Sequence, residues 1–164
     1  RPLPDLYPPA LQSRIEQWNE RIYRTVNNGV YRAGFATSQA AYDEAVADVE
    51  RGLCEVEAIL GGARGLAGNT FTEADIRLFC TLVRFDPVYH THFRCNRRLI
   101  ADSPVLLGFV RDAAQIPGVM DTINMDHIKR HYYGTQRKVN PTGIVPLGPE
   151  LDFCAPHDRD RFVS

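Results

Sequence analysis

The sequence predicts an all-α protein, a bundle of five or six helices with a long irregular C-terminal tail. Apolar residues recur at spacings of three and four in several stretches, and no segment alternates apolar and polar residues as a strand does. The third observation is the stretch 72–93, where Thr-x-x-Asp stands directly before an apolar run. We expect this stretch to hold the central, buried helix, because it is apolar on nearly every side.

A capping box is predicted at the start of that helix, at Thr72 and Asp75. The Thr72 hydroxyl can accept a hydrogen bond from the Asp75 amide, and the Asp75 carboxylate can accept one from the Thr72 amide. Phe71 and Ile76 occupy the two positions of a hydrophobic staple. The amides of a buried helix start have no water to bind, so we interpret Thr72 and Asp75 as structural.

Two helices are predicted before the central one. The first covers 10–26, and the Asn-Asn-Gly sequence at 27–29 is expected to end it or bend it sharply. The segment 29–35 is too rich in glycine for a good helix, and its two aromatic residues suit a pocket wall as well as a core. The second helix is expected to be capped by Thr37 or Ser38.

The remaining elements follow from breakers and caps. The glycine-rich loop 61–69 lacks the preceding strand and the Gly-Lys-Ser/Thr ending of a phosphate-binding loop, so we interpret it as a connector. Pro87 should break or kink the central helix, with a short helix at 88–93 after it. Ser103 is expected to cap another helix, with proline at its first position. A last helix is predicted at 121–133.

The chain is expected to divide into a lead-in, a helical domain and a tail. Residues 1–9 carry four of the 11 prolines and should be extended. The helical domain covers 10–134. The tail covers 135–164. Its prolines and glycines at 140–143 and 146–149 forbid regular structure there, but the tail is apolar in places, so we expect it to wrap the domain.

Composition indicates a soluble globular protein, with 44% hydrophobic and 24% charged residues. The net charge of −1 gives no strong field for nucleic acid or an anionic membrane. No apolar run reaches about 18 residues. We also expect no signal peptide, because the first four residues lack the apolar central region that such a peptide needs. We expect a cytoplasmic protein in which Cys54 and Cys80 are reduced, buried thiols.

Metal binding and nucleophilic catalysis are not predicted for this chain. His90 and His92, with Cys95 nearby, are two residues apart and would diverge on a helix. His127 and His131 share a helix face, but the glutamate of the zinc hydrolase motif is absent. No nucleophile, base and orienting group assemble from spacing alone, so we assign no catalytic residue.

Four tyrosines lie at helix ends or breaks, where a phenol can present its hydroxyl to a cleft: Tyr31, Tyr89, Tyr132 and Tyr133. Phenols stack on a bound ring, donate hydrogen bonds and can stabilise a developing phenolate. The alternative is that these rings close the edge of the core. The residues alone leave both interpretations open.

Several stretches resemble a known family. The Thr-Glu-Ala-Asp start at 72–75 resembles the C-terminal helical domain of glutathione transferases. More narrowly, the chain resembles the glutathionyl-hydroquinone reductases, the Xi-class branch, across almost its whole length. The stretches that carry this resemblance are 27–36, 85–89 with 93–96, 124–133 and 140–149.

The resemblance implies a bundle of the glutathione transferase C-terminal type and a two-domain cytosolic enzyme. A thioredoxin-like N-terminal domain, absent from this chain, would bind glutathione as co-substrate. Its cysteine would attack the glutathione sulfur of a glutathionyl-hydroquinone and form a mixed disulfide. The helical domain would supply the hydroquinone pocket and the homodimer contact. The alternatives are a dimerisation or interaction module without activity and a conjugating glutathione transferase.

Carried over by position, the pocket tyrosines of the family fall on Tyr31, Tyr89 and Tyr132. Tyr133 adjoins the last of these, so either residue of that pair can face the pocket. The proline-rich start at 1–9 resembles the linker between the two domains.

Overall fold

Helices and their connections build the fold of residues 4–163, the part of the chain that this computed structural model describes. Within that part the backbone forms no β-strand, and an isolated bridge joins Gly65 to Gly68. The predicted all-α class is confirmed. Residues 1–3 of the predicted lead-in and Ser164 of the predicted tail lie outside the described range.

The described residues form six α-helices, linked by turns and short 3₁₀ segments. In chain order they are α1 Gln12–Ile22, α2 Asn28–Gly34, α3 Gln39–Leu60, α4 Glu73–Arg84, α5 Pro104–Ala114 and α6 Met125–Thr135. The core lies between α1, α2, α3, α4 and α5. None of the helices within 4–163 is long and apolar enough to cross a bilayer.

Three of these helices begin with a side-chain cap. The hydroxyl oxygens of Ser38 and Ser103 accept hydrogen bonds from amides in the first turns of α3 and α5, as predicted. The Asn124 side chain caps α6 in the same way. The last helix therefore begins four residues later than predicted, after the 3₁₀ turn Met120–Thr122.

Of the end or sharp bend predicted for the first helix at 27–29, the end does not occur. A π-helical turn, Tyr23–Asn27, joins α1 to α2, so the chain stays helical to Gly34. This segment is helical although glycine has a low helix propensity, and packing explains why. A Cβ atom at Gly34 would stand 2.1 Å from Phe93 Cδ1, so glycine is what allows this close approach.

Of the break or kink predicted at Pro87, the break does not occur either. A second π-helical turn, Phe85–Tyr89, continues α4, and the His90 amide donates to the Phe85 carbonyl at 2.8 Å. In an α-helix the proline ring would clash with the carbonyl four residues earlier. The wider π turn relieves that clash and keeps the chain helical.

Helix α4 is not apolar all round, which corrects the prediction for it. Leu78 and Leu82 face the core, whereas Ile76 is 37% exposed and Cys80 is exposed. Residues 76 and 80 stand four apart, so they share the outer face of the helix. Cys54 is exposed as well, so neither thiol predicted to be buried is buried.

The start of α4 is fixed by Asp75, whose side chain is completely buried. The carboxylate half of the predicted capping box forms: Asp75 Oδ2 accepts from the Thr72 amide at 2.8 Å and from the Thr72 hydroxyl at 3.0 Å. The Asp75 amide donates to the Thr72 backbone carbonyl at 3.1 Å. Asp75 Oδ1 accepts from the Leu66 amide at 2.8 Å. Burial raises the pKa of this carboxyl, and the hydrogen bonds from Leu66 and Thr72 oppose that rise. One carboxylate thus joins the connector to the helix.

The tail lies along α5 and the C-terminal end of α3. The Gln115 side chain donates to the carbonyls of Phe153 and Ala155, both at 2.9 Å. Arg159, only 1% exposed, donates to the carbonyls of Leu60 at 3.1 Å and Ala63 at 2.6 Å. A cation at the carbonyl end of a helix complements the helix dipole.

Candidate functional site

Three tyrosine hydroxyls from distant parts of the chain meet at one point. The Tyr132 hydroxyl oxygen lies 2.6 Å from that of Tyr31 and 2.9 Å from that of Tyr89. Tyr31 belongs to α2, Tyr89 ends the second π turn, and Tyr132 belongs to α6. We call these three residues the tyrosine triad. They are the three residues on which the family resemblance places the pocket tyrosines.

The rings of the triad are held by stacking around Phe93. The Tyr89 ring stacks on Phe93 with centroids 5.5 Å apart and an interplanar angle of 14°. Tyr31 packs on the same ring at 5.2 Å, and Tyr132 meets Tyr89 edge to face at 5.5 Å. Such pairs add stability beyond the area they bury. The hydroxyls are therefore presented from a packed aromatic cluster.

Tyr133, the alternative to Tyr132, points away from the triad. Its hydroxyl donates to the Pro87 carbonyl at 3.0 Å, and its ring packs on His92 at 4.7 Å. This buried bond satisfies a carbonyl of the second π turn. Of the two adjacent tyrosines, Tyr132 lies with Tyr31 and Tyr89, and Tyr133 belongs to the core.

An open cleft of about 470 Å³ lies beside the triad, between α2, α4 and α6. We call it the tyrosine cleft. It is lined by Tyr23, Asn27, Tyr31, Ile76, Arg77, Cys80, Thr81, Arg84, Tyr89 and Tyr132. Most of its other lining residues come from the outer face of α4 and the first π turn.

Several of these lining residues were not predicted for the site. The spacing of four between Ile76, Cys80 and Arg84 could have identified a common face of α4. Asn27 could not have been found this way, since its place depends on the π turn. Its side-chain nitrogen donates to Thr81 Oγ1 at 2.6 Å and joins that turn to α4.

The two buried phenols of the triad, those of Tyr89 and Tyr132, favour the protonated state. Burial, followed by the hydrogen bond with Tyr132, raises the pKa of Tyr89. Burial, followed by the hydrogen bond with Tyr31, raises the pKa of Tyr132 to about 12, while the charge of Arg84 acts in the opposite direction. Both groups are therefore neutral hydrogen-bond donors at neutral pH.

A count of protons indicates what the triad can bind. Three hydroxyls carry three protons, and the two contacts between them use two. One proton remains for an acceptor outside the triad. An oxygen that carries negative charge is the acceptor that gains most from such a donor.

The histidines that could have suggested a metal do not gather around one point. In residues 4–163 no three His, Cys, Asp or Glu side chains are grouped to hold an ion. His92 is buried, and its Nε2 lies 2.9 Å from Gln136 Oε1. Burial lowers the pKa of His92 below its usual value, so this ring is neutral at neutral pH.

Comparison with known proteins defines the class to which this fold and site belong. The sequence profile described as "Glutathione S-transferase, C-terminal domain" matches residues 39–112. The glutathionyl-hydroquinone reductase of Escherichia coli K12 is 58% identical over 156 residues, which are 95% of this chain and 48% of that protein. The glutathionyl-hydroquinone reductase of Sphingobium chlorophenolicum is 53% identical, over 88% of this chain and 46% of that protein.

Solved structures agree with the sequence relatives. The glutathione-bound structure of the E. coli K-12 glutathione transferase homolog matches with a TM-score of 0.95 at 57% identity, over 97% of this chain and 52% of that one. The Xi-class enzyme of Natrialba magadii matches with a TM-score of 0.95 at 51% identity, over 98% and 49%.

The chain is a helical domain of the glutathione transferase C-terminal type. Within that family it belongs to the Xi class, with the glutathionyl-hydroquinone reductases. It spans about half the length of the curated relatives that it matches.

Proposed function

We propose that this chain is the substrate-binding domain of a glutathione-dependent reductase that removes glutathione from glutathionyl-hydroquinones. The observation that carries this function is the convergence of three phenol hydroxyls on one side of an open cleft. A hydroquinone is flat, so it can stack on aromatic walls. Its oxygen becomes more basic as the ring is released, and neutral phenols can stabilise that charge.

The domain that binds glutathione lies, in this proposal, outside the 164 residues. Residues 10–134 form the helical domain, 1–9 the linker to a thioredoxin-like domain, and 135–164 the wrapping tail. The cleft is open on the side of Tyr23, which is 59% exposed, and Ile76. We place the second domain over these exposed apolar side chains. A homodimer through the helical domains and a cytoplasmic location remain part of the same proposal.

In the keto tautomer of the substrate, the ring carbon that bears sulfur also carries a hydrogen and adjoins a carbonyl. A cysteine thiolate of the second domain attacks the glutathione sulfur, and the carbon–sulfur bond breaks. Its electron pair enters the ring, so the carbonyl oxygen becomes a phenolate. A second glutathione gives its proton to the phenolate, displaces the first as glutathione disulfide and restores the cysteine thiolate.

The helical domain contributes to this reaction by binding and by charge stabilisation. The triad donates a hydrogen bond to the ring oxygen as its charge develops. Arg84 stands in the same cleft and adds a positive charge. The buried thiol Cys95 takes no part, because burial raises its pKa to about 12 and keeps it protonated.

An activity assay of the chain alone tests whether the reaction requires the second domain. We expect the purified 164-residue chain to produce no glutathione disulfide from a glutathionyl-hydroquinone and glutathione. None of its four cysteines stands in an activating motif. The full-length protein encoded by the same gene should turn over under the same conditions.

The matched variant for this assay is Cys80→Ser, since Cys80 is the exposed thiol that lines the cleft. Steady turnover by the isolated chain that disappears in Cys80→Ser would place the chemistry in this domain and refute the proposal. Formation of a glutathione conjugate by the full-length protein, with no disulfide product, would instead identify a conjugating transferase.

A further inference from the structure

Arg159, near the end of the tail, brings a buried positive charge to the connector between α3 and α4. Its guanidinium group donates to the carbonyls of Ala63 at 2.6 Å and Arg64 at 2.7 Å. Its Nε lies 3.9 Å from Asp112 Oδ2. A cation at this depth needs anions close by, because an uncompensated buried charge is strongly destabilising.

Asp112 of α5 does not balance the charge of Arg159 alone. Its two carboxylate oxygens accept from Arg64 Nε at 2.9 Å and from Arg64 Nη2 at 2.7 Å. One carboxylate therefore serves two guanidinium groups. A second carboxylate, that of Asp75, is completely buried at the start of α4. We call Arg64, Asp75, Asp112 and Arg159 the ion cluster, in which two positive and two negative charges cancel.

The backbone of the connector joins the two ends of this cluster. The two carbonyls just before Gly65 accept from Arg159. Just after it, the Leu66 amide donates to Asp75 Oδ1 at 2.8 Å. A Cβ atom at Gly65 would stand 2.7 Å from Asp75 Oδ2, so the connector packs directly on the carboxylate. Carbonyl oxygens thus point to the cation and an amide hydrogen to the anion, so the peptide groups link the two charges.

The protonation of Asp75 agrees with this link. Burial raises the pKa of the Asp75 carboxyl, and the charge of Arg159 is among the influences that oppose the rise. Arg159 therefore helps to keep Asp75 in the ionised form, which is the form that accepts from the start of α4.

We propose that Arg159 is a positioning residue for the tyrosine cleft: it holds the connector and the charged Asp75 in place, and so fixes the first turn of α4. The inference rests on the proposed function, which assigns the cleft to the substrate. Ile76 and Arg77 directly follow Asp75 and line the cleft, whereas no residue of 135–163 does. Arg159 therefore acts on the cleft through α4.

Hydrogen exchange of the full-length protein tests this coupling without turnover. In Arg159→Met, the amides of 63–77 should exchange about tenfold faster or more, because Asp75 loses a compensating cation. Arg159→Lys keeps the charge, so exchange in 72–77 should stay within about threefold of wild type. If Arg159→Met does not fold, Arg159→Gln takes its place, since it keeps hydrogen-bond donors and lacks the charge.

Steady-state kinetics of the same variants test the effect on the cleft. A displaced wall should weaken substrate binding while the triad stays in place. Arg159→Met should therefore raise KM by about threefold or more and leave kcat within about twofold. Arg161→Met is the matched control, because Arg161 is an exposed arginine two residues further along that pairs with Asp158. It should change neither the exchange in 63–77 nor KM.

Faster exchange in 63–66 with unchanged exchange in 72–77 would show that Arg159 only caps α3, and would overturn the proposal. An unchanged KM despite faster exchange in 72–77 would show that the cleft does not depend on this link, and would overturn it too. The exchange result does not depend on substrate. If it is as expected but the wild-type protein does not reduce glutathionyl-hydroquinones, the proposed function fails and the coupling of the tail to α4 stands.

Discussion

Replacing Asp75 with alanine should lower the free energy of unfolding by about 3 kcal/mol. The helix loses its cap, and buried hydrogen-bond donors are left without an acceptor. The Asp75 carboxylate accepts from the amides of Thr72 and Leu66 and from the Thr72 hydroxyl. Thr72 and Leu66 are themselves completely buried, so water cannot replace the lost acceptor. Chemical denaturation of the two proteins measures the difference.

Asp102→Ala provides the control for this measurement. The Asp102 carboxylate likewise accepts from the amide three residues before it, that of Leu99, at 3.2 Å, but its side chain is exposed. Water can take its place, so the loss should be about 1 kcal/mol or less. Equal midpoints for wild type and Asp75→Ala would show that this carboxylate does not hold the start of α4.

Tyr→Phe substitutions in the triad should lower turnover of the full-length protein, by as much as about 10²-fold where the lost hydroxyl stabilises the leaving phenolate. The substitution removes one oxygen and keeps the ring, so packing around Phe93 is retained. The missing bond is strongest when the ring oxygen carries charge, so kcat should fall more than the affinity for substrate. Steady-state kinetics of the three variants, together with their thermal unfolding, measure both effects.

Tyr133→Phe serves as the control, because the Tyr133 hydroxyl donates to the Pro87 carbonyl and does not contact the triad. We expect this variant to lose some stability and to keep its turnover. Three fully active triad variants would exclude a role for these hydroxyls in the reaction. Inactive variants that also unfold would leave the tyrosines as core residues.

The sequence predicted the elements whose signals are local. The caps at Ser38 and Ser103 depend on a hydroxyl and the first turn that follows it, and both form as predicted. Thr72 and Asp75 likewise lie within one turn. The resemblance to the Xi class placed Tyr31, Tyr89 and Tyr132 in one site, and the structure brings their hydroxyls together. Their role in binding substrate remains a prediction.

The predictions that failed concern segments where packing outweighs the local conformational preference of the residues. The Asn-Asn-Gly sequence at 27–29 and Pro87 both signal a helix end, but each lies at or beside a π turn that keeps the chain helical. The exposure of Ile76 and Cys80 could not be predicted either. In the sequence, an apolar side chain that faces a cleft cannot be distinguished from one that packs in the core. Only the structure shows that no other side chain covers it.

A crystal structure of the full-length protein with a bound hydroquinone tests most directly whether the tyrosine cleft is the substrate site. The ring should lie in the cleft against α4, with one of its oxygens within about 3.2 Å of a hydroxyl of the tyrosine triad. A ring bound elsewhere would contradict the proposed function, for example in the groove between α1 and α3 beside Trp18.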